Sequence, residues 1–304
     1  MSQPVWIDTD VAIGVGNPQT GYADVDDAFA MIQLFKAPHL AVRGISTVFG
    51  NTDVDTATRL ARELSDRFGG GVPVHRGAAQ GIDLAAVKTN PAVEALVAAL
   101  MEEPIDVLAI GPATNLGLLL LLYPKLASRL RSVVLVAGRR QAGQRFIVGM
   151  RHHPPFPDLN FDLDNHAFRV LIQSGVPLVL HPFEISHKVW ITAEDLDQLA
   201  QGDEAAAYLA QHSRAWLAQW EPYGCTGFNP FDLLASAFLV NPEGFEWDLM
   251  PVRFEIHSDD TRPGEPAFKR YLLLNESQPG LRRLRYCHTP PPDLKARLMR
   301  ELMA

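Results

Sequence analysis

The sequence predicts an α/β protein, a single domain over residues 1–304 with a mostly parallel sheet flanked by helices. Three observations carry that reading. Strand-like and helix-like stretches alternate from the N-terminus to about residue 180, the pattern of parallel strands joined by helical crossovers. Several of those strands run into Asp, Asn or Gly, the residue types expected at the strand ends where α/β sheets hold ligands. The chain of 304 residues, 47% hydrophobic, suits one large core, and no internal repeat, low-complexity tract or linker divides it.

Taken in order, Val5-Trp6-Ile7 reads as the first buried strand, ending on Asp8-Thr9-Asp10. A loop punctuated by glycines and Asn17-Pro18 follows, and Asp24-Val25-Asp26-Asp27 opens a helix over Ala28 to Lys36. Leu40 to Val48 reads as a strand ending in Phe49-Gly50-Asn51, Asp53 to Phe68 as a helix capped by Asp53, and Val72 to His75 as a short strand. A helix from Pro91 to Met101 precedes a strand over Ile105 to Ile110, which stops at Gly111-Pro112 before a leucine-rich helix. Ser132 to Ala137 is the next strand, ending at Gly138.

Residues 139–163 break the alternation. Arg139-Arg140, His152-His153 and several prolines make a long polar loop ending in Asp158-Leu159-Asn160-Phe161-Asp162, the kind of segment that borders an active site. Helix, strand and long helix then follow over Asn165 to Ser174, Val176 to His181 and Asp203 to Trp220. Tyr223 to Pro230 reads as a loop, Phe231 to Val240 as a helix beginning with Asp232. Val252 to Ile256 and Lys269 to Leu274 read as strands, with a closing helix from Pro291.

Composition narrows the function. A net charge of −8, a pI of about 5.7 and no Lys/Arg run argue against nucleic acid or an anionic membrane as partner. The N-terminus enters a strand with no basic and apolar leader, and no apolar run reaches membrane-spanning length, so a soluble cytoplasmic protein is expected. Cys225 and Cys287 have neither a metal-ligand spacing nor a disulfide framework.

The chemistry gathers at the first strand end. Asp8, Asp10, Asp24, Asp26 and Asp27 repel one another unless something positive lies between them, and a hard divalent cation with oxygen ligands fits that role. Helix capping accounts for one or two of these acids and leaves the rest unexplained. Asn51, Ile110, Gly111 and Gly138 also follow strand ends, and Asp158, Asn160 and Asp232 sit on loops or helix starts able to reach the same edge. Carboxylates for a cation plus amides for hydroxyls describe a site for a sugar diol.

Over roughly residues 4–245 the chain resembles the nucleoside hydrolase family of the inosine–uridine-preferring type. Asp8-Thr9-Asp10 and Asp26-Asp27-Ala28 resemble its first strand end and acidic pair, and Thr47 to Asn51 its second strand end. Ile110 to Asn115, Asp158-Leu159-Asn160 and the helix from Asp232 to Pro242 follow in the family's order, and His187 follows a strand as a family histidine does. The resemblance implies a Rossmann-like nucleoside hydrolase fold and a Ca²⁺ held by Asp10, Asp27, Asp232 and the Ile110 carbonyl. It implies cleavage of an N-glycosidic bond through an oxocarbenium-like state, with a cation-activated water and Asp10 as the base. Asp26, Asn51, Asp158 and Asn160 would hold the ribose. The partner is then a small nucleoside or related N-riboside, and the family assembles as dimers or tetramers.

Three departures stand out. The family's spacing between the first ligand Asp and the end of the acidic pair is short, whereas residues 11–26 intervene here; the stretch at about 11–25 reads as an active-site flap, with Asp24 as a competing ligand. Phe231 stands where purine- and pyrimidine-preferring members carry a His that protonates the leaving base. Asp158 is one methylene shorter than the usual Glu, and His152 falls near the expected place of another ribose-contacting Asn.

Trp216, Trp220 and Tyr223 are candidates to stack a base, although Trp216 and Trp220 at helical spacing also suit a core. His187 and His212 are candidate site histidines with ordinary structural alternatives. Two other functions are weighed against hydrolysis. A non-catalytic nucleoside or ribose binder keeps the diol-gripping residues without turnover. A phosphatase of the haloacid-dehalogenase type shares the Asp-x-Asp after a strand but leaves Asn51, Asp158-x-Asn160 and Asp232 without a role.

Overall fold

The structure, a computed structural model, describes residues 2–149 and 155–304; His152 and His153 lie outside the described residues. The Gln3–Thr9 strand, apolar on both faces, lies inside a nine-stranded sheet with parallel neighbours on each side. Across the sheet the order is Phe268–Leu274, Glu246–Ser258, Arg283–Thr289, Leu178–Leu180, Leu130–Leu135, Ile105–Ala109, Gln3–Thr9, Leu40–Thr47 and Val74–Arg76. Only the Glu246–Ser258 strand runs against the rest, pairing antiparallel with both neighbours. Two hydrophobic clusters, one containing Phe29, Ile32 and Leu234 and the other Leu119, Phe168 and Leu178, enclose the sheet between layers of helices.

Local chemistry accounts for the element boundaries. Asp53 accepts the N–H groups of Asp55 and Thr56 and starts the Val54–Phe68 helix. Asn90 caps Pro91–Glu102, with proline at the first turn, and Asp203 caps Glu204–Trp220. Several elements escape the sequence reading. Arg283–Thr289 alternates charged and apolar residues (R-L-R-Y) with Leu284 and Tyr286 buried, a period-two signal that is present in the chain. Ala193–Leu199 begins with a reciprocal Thr192–Asp195 capping box, and Leu159–Leu163 puts one helical turn at the end of the predicted loop.

The parallel strands bring their C-terminal ends to one edge. Asp10, Asn51, Ile110 and Gly138 follow the Gln3–Thr9, Leu40–Thr47, Ile105–Ala109 and Leu130–Leu135 strands there. The stretch after Asp10 is only partly a surface feature. Val11, Ala12 and Ile13 are buried in the core, and a short hairpin follows, its Gly16–Asn17 strand exposed and its Gly21–Tyr22 strand half-buried. No described helix is long and apolar enough to cross a membrane.

Candidate active site

Four aspartates converge where the first strand meets two helix N-termini. The Asp26–Lys36 and Phe231–Val240 helices pack together, and Asp26 Oδ2 accepts the Asp232 N–H at 2.8 Å, capping the second helix from the first. Asp27 accepts the Thr9 hydroxyl, and Asp10 Oδ2 accepts the Asn51 N–H at 2.7 Å. Carboxylate oxygens of Asp26, Asp27 and Asp232 lie within 4.8 Å of one another. Gly50 makes room for this arrangement: a Cβ there would stand 1.8 Å from Asp10 Oδ2.

Burial raises the carboxyls of Asp10 and Asp232 well above the usual range, and neighbouring acids raise them further. Asp27 is pushed up to about 7, by burial first and Asp26 second. Asp10 Oδ1 and Asp27 Oδ2 are buried without a hydrogen-bond partner. Unpaired buried carboxylate oxygens beside the Asp26 and Asp232 carboxylates are costly alone and fit a hard divalent cation. The all-oxygen chemistry fits the hard cation that the family resemblance implies, but the close group is Asp26, Asp27 and Asp232, with Asp10 outside it.

Asp8 also has a buried oxygen without a partner, Oδ2, but its other oxygen is engaged in the scaffold. Its Oδ1 accepts from the Ser46 hydroxyl and from Asn115 Nδ2, the latter at 2.8 Å. Asn115 also donates to the Thr47 carbonyl and accepts from the Ala78 N–H, so Asp8 fixes a buried junction of two strands, the Thr114–Leu122 helix and the loop at Ala78. Burial pushes it up to about 6.

A cavity of about 310 Å³ opens beside the aspartates. Asp26, Asn51, Ile110, Asp158, Asn160 and Asp232 form its polar wall; Phe146, Phe156, Phe183, Trp216, Trp220 and Phe231 form an aromatic one. Asp158 Oδ2 accepts the Gly138 N–H at 2.9 Å; burial pushes its carboxyl up to about 6, against the opposing field of Arg139. Asn160 Nδ2 donates to the carbonyls of Ile110 and Val136, at 3.2 Å each, so its amide holds the Ile110 carbonyl at the cavity wall. Asp24 also lines the cavity and shares a hydrogen bond with the Asp26 carboxyl; burial and that neighbour raise it well above the usual range.

Most residues singled out in the sequence meet here. Asp26, Asn51, Ile110, Asp158, Asn160, Trp216 and Asp232 line the cavity, while Asp10 and Asp27 stand behind Asn51 and Asp26. Three other candidates, His187, Tyr223 and His212, lie off the wall. His187 is exposed, bonded through Nδ1 to the Phe183 carbonyl and stacked on the Phe183 ring at 5.3 Å. Tyr223 sits edge-on to Phe156 at 6.4 Å. Both abut rings that line the cavity. His212 packs on Tyr208 instead. Phe146, Phe156 and Phe183 give no signal in the sequence, because they stand singly on loop segments and at the start of a four-residue helix, without periodicity.

Comparisons with known proteins give the family and the fold. The sequence profile of the inosine-uridine preferring nucleoside hydrolases matches residues 5–273. The chain is similar to a pyrimidine-specific ribonucleoside hydrolase, RihA, of Citrobacter koseri, with 28% identity over 72% of this chain and 77% of that one. It is similar to a non-specific ribonucleoside hydrolase, RihC, of Salmonella enteritidis, with 27% identity over 82% of this chain and 89% of that one. Among solved structures, a plant nucleoside hydrolase, PpNRh1, superposes with a TM-score of 0.78 at 22% identity, each chain covered fully. An inosine-guanosine nucleoside hydrolase superposes with a TM-score of 0.77 at 19% identity, over 100% of this chain and 99% of that one. With the aspartate cluster and cavity in place, the match over most of the chain settles the family: this protein is a member of the inosine-uridine preferring nucleoside hydrolases, N-glycosyl hydrolases by class.

Proposed function

We propose that the protein hydrolyses the N-glycosidic bond of a ribonucleoside, releasing ribose and free base in a calcium-dependent reaction. The observation that carries the reading is the pair of unpartnered buried oxygens, Asp10 Oδ1 and Asp27 Oδ2, at the edge of a cavity with one polar and one aromatic wall. Asp10, Asp27, Asp232 and the Ile110 carbonyl would hold the cation. When bound, it supplies the positive charge that acidifies a water and grips the ribose hydroxyls.

The chain's own residues do the rest. Asp10 takes the proton of the attacking water as the oxygen bonds to C1′ and the C1′–N bond breaks, its electron pair leaving with the base. Asp26, Asn51, Asp158 and Asn160 orient the ribose, and the two carboxylates favour positive charge developing on the ring. Trp216, Trp220 and Phe231 hold the departing base and exclude water around it. Among the described lining residues there is no histidine, and the base nitrogen that leaves with the electron pair takes up a proton from solvent.

Ribose release from a panel of purine and pyrimidine nucleosides, with calcium and after chelation, tests the reading. Chelation-sensitive release is expected. Nucleoside binding without release would instead identify a binding protein.

A further inference from the structure

The insert after Asp10 is built and docked. Val15 and Ala23 are joined by a backbone bond of 2.9 Å, and Asn17 Oδ1 accepts the N–H groups of Gln19 and Thr20, closing the turn. Gly16, at φ 121°, lies so close to the opposite strand that a Cβ would stand 2.2 Å from the Gly21 carbonyl. The hairpin rests on the helix that carries Trp216 and Trp220. Gln219 Oε1 accepts the Tyr22 N–H at 2.6 Å, and Gln219 Nε2 donates to the Tyr22 carbonyl at 2.9 Å. One side-chain amide thus completes both backbone groups of Tyr22, as a neighbouring strand would. Beyond this clamp, Tyr22 and Ala23 line the cavity, as do Trp216 and Trp220.

We propose that Tyr22 is a specificity-determining residue for the leaving base and that Gln219 is its positioning residue. The inference rests on the proposed hydrolysis only in taking the aromatic wall as the place of the base. The phenol ring offers an apolar face and a hydroxyl to a flat heterocycle, and the clamp fixes the Tyr22 backbone against the helix that carries Trp216. Through this placement the Tyr22 side chain would limit the room left at the cavity wall for a two-ring as against a one-ring base.

The test uses the full-length protein and its Tyr22→Leu, Gln219→Leu and Gln219→Glu variants. Binding of free adenine and free uracil is read from quenching of tryptophan fluorescence, alongside kcat and KM for adenosine and uridine. Tyr22→Leu and Gln219→Leu should weaken base binding about tenfold, a change of about 1.4 kcal/mol, and shift the adenine-to-uracil preference. Gln219→Glu keeps the acceptor for the Tyr22 N–H and loses the donor, so it should fall between. Unchanged affinities and preference in all three variants overturn the proposal, as does a wild type that binds neither base. A loss of melting temperature with unchanged preference also overturns it, since a merely structural clamp behaves that way. Base binding without ribose release would overturn hydrolysis and leave this inference standing.

Discussion

The Asn51 backbone N–H binds Oδ2 of Asp10 at 2.7 Å, while Oδ1 of the same carboxylate is buried with no partner. The bond fixes the carboxylate's rotation and leaves one oxygen for another task. It also ties the first two strand ends together at the cavity. Asp10→Ala removes both functions, and ribose release should fall by on the order of 10³, within the range for losing a positioned base. Single-turnover kinetics on the folded variant provide the check.

Calcium should raise the melting temperature of the wild type. Binding to the folded state alone stabilises by about 2.7 kcal/mol at a hundredfold excess over Kd. Asp27→Asn and Asp232→Asn should abolish most of that increment without unfolding the protein, because each keeps its side-chain volume. A calcium increment unchanged in both variants contradicts the ligand assignment.

The chelated protein should become less stable as pH rises. Asp27 is pushed up to about 7 and Asp8 to about 6, with Asp10 and Asp232 also raised. The folded state therefore binds more protons than the unfolded one between about pH 4 and 7, so stability present in acid is lost as pH rises through that window. Added calcium competes with these protons and should stabilise more at pH 8 than at pH 5. Denaturant titrations at both pH values, with and without calcium, give the sign directly.

Asp158 should matter through its charge. With its carboxyl pushed up to about 6, kcat/KM should rise with pH through a limb near that value. Asp158→Ala should lose the limb and reduce kcat/KM about a hundredfold, within the span assigned to one electrostatic contact. Asp158→Glu should retain measurable activity, since only a methylene is added.

Asp8→Ala should act on stability. It leaves the Ser46 hydroxyl and Asn115 amide short of a buried acceptor, a loss of about 2 kcal/mol in urea unfolding. His187→Ala, by contrast, should change kcat/KM by less than about twofold, because the ring is exposed outside the cavity and a surface change of this kind is nearly neutral.

Much of this arrangement is legible in the chain. Apolar runs such as Val5 to Ile7 and Ile105 to Ala109 mark buried parallel strands, and Asp53, Asn90 and Asp203 mark helix starts, because these signals are local. The third C-terminal strand, Arg283–Thr289, is less so: its alternating pattern is short, and its partners lie at Leu178–Leu180 and Glu246–Ser258. The acids were legible as a group, yet their division of labour was not. Asp8 and Asp10 are two residues apart on one strand end, and their side chains serve different partners, Ser46 and Asn115 for one and Asn51 for the other.

By itself, then, the sequence determined the α/β alternation, the edge at which the polar residues collect and the family to which they belong. Those features follow from periodicity, capping and strand-end chemistry, each written within a few residues. Tertiary structure alone decided which aspartates face one another, that the insert docks on Gln219, and that Phe146, Phe156 and Phe183 close a cavity with Trp216. These contacts join residues far apart in the chain, and only packing against a shared core sets the distance between them.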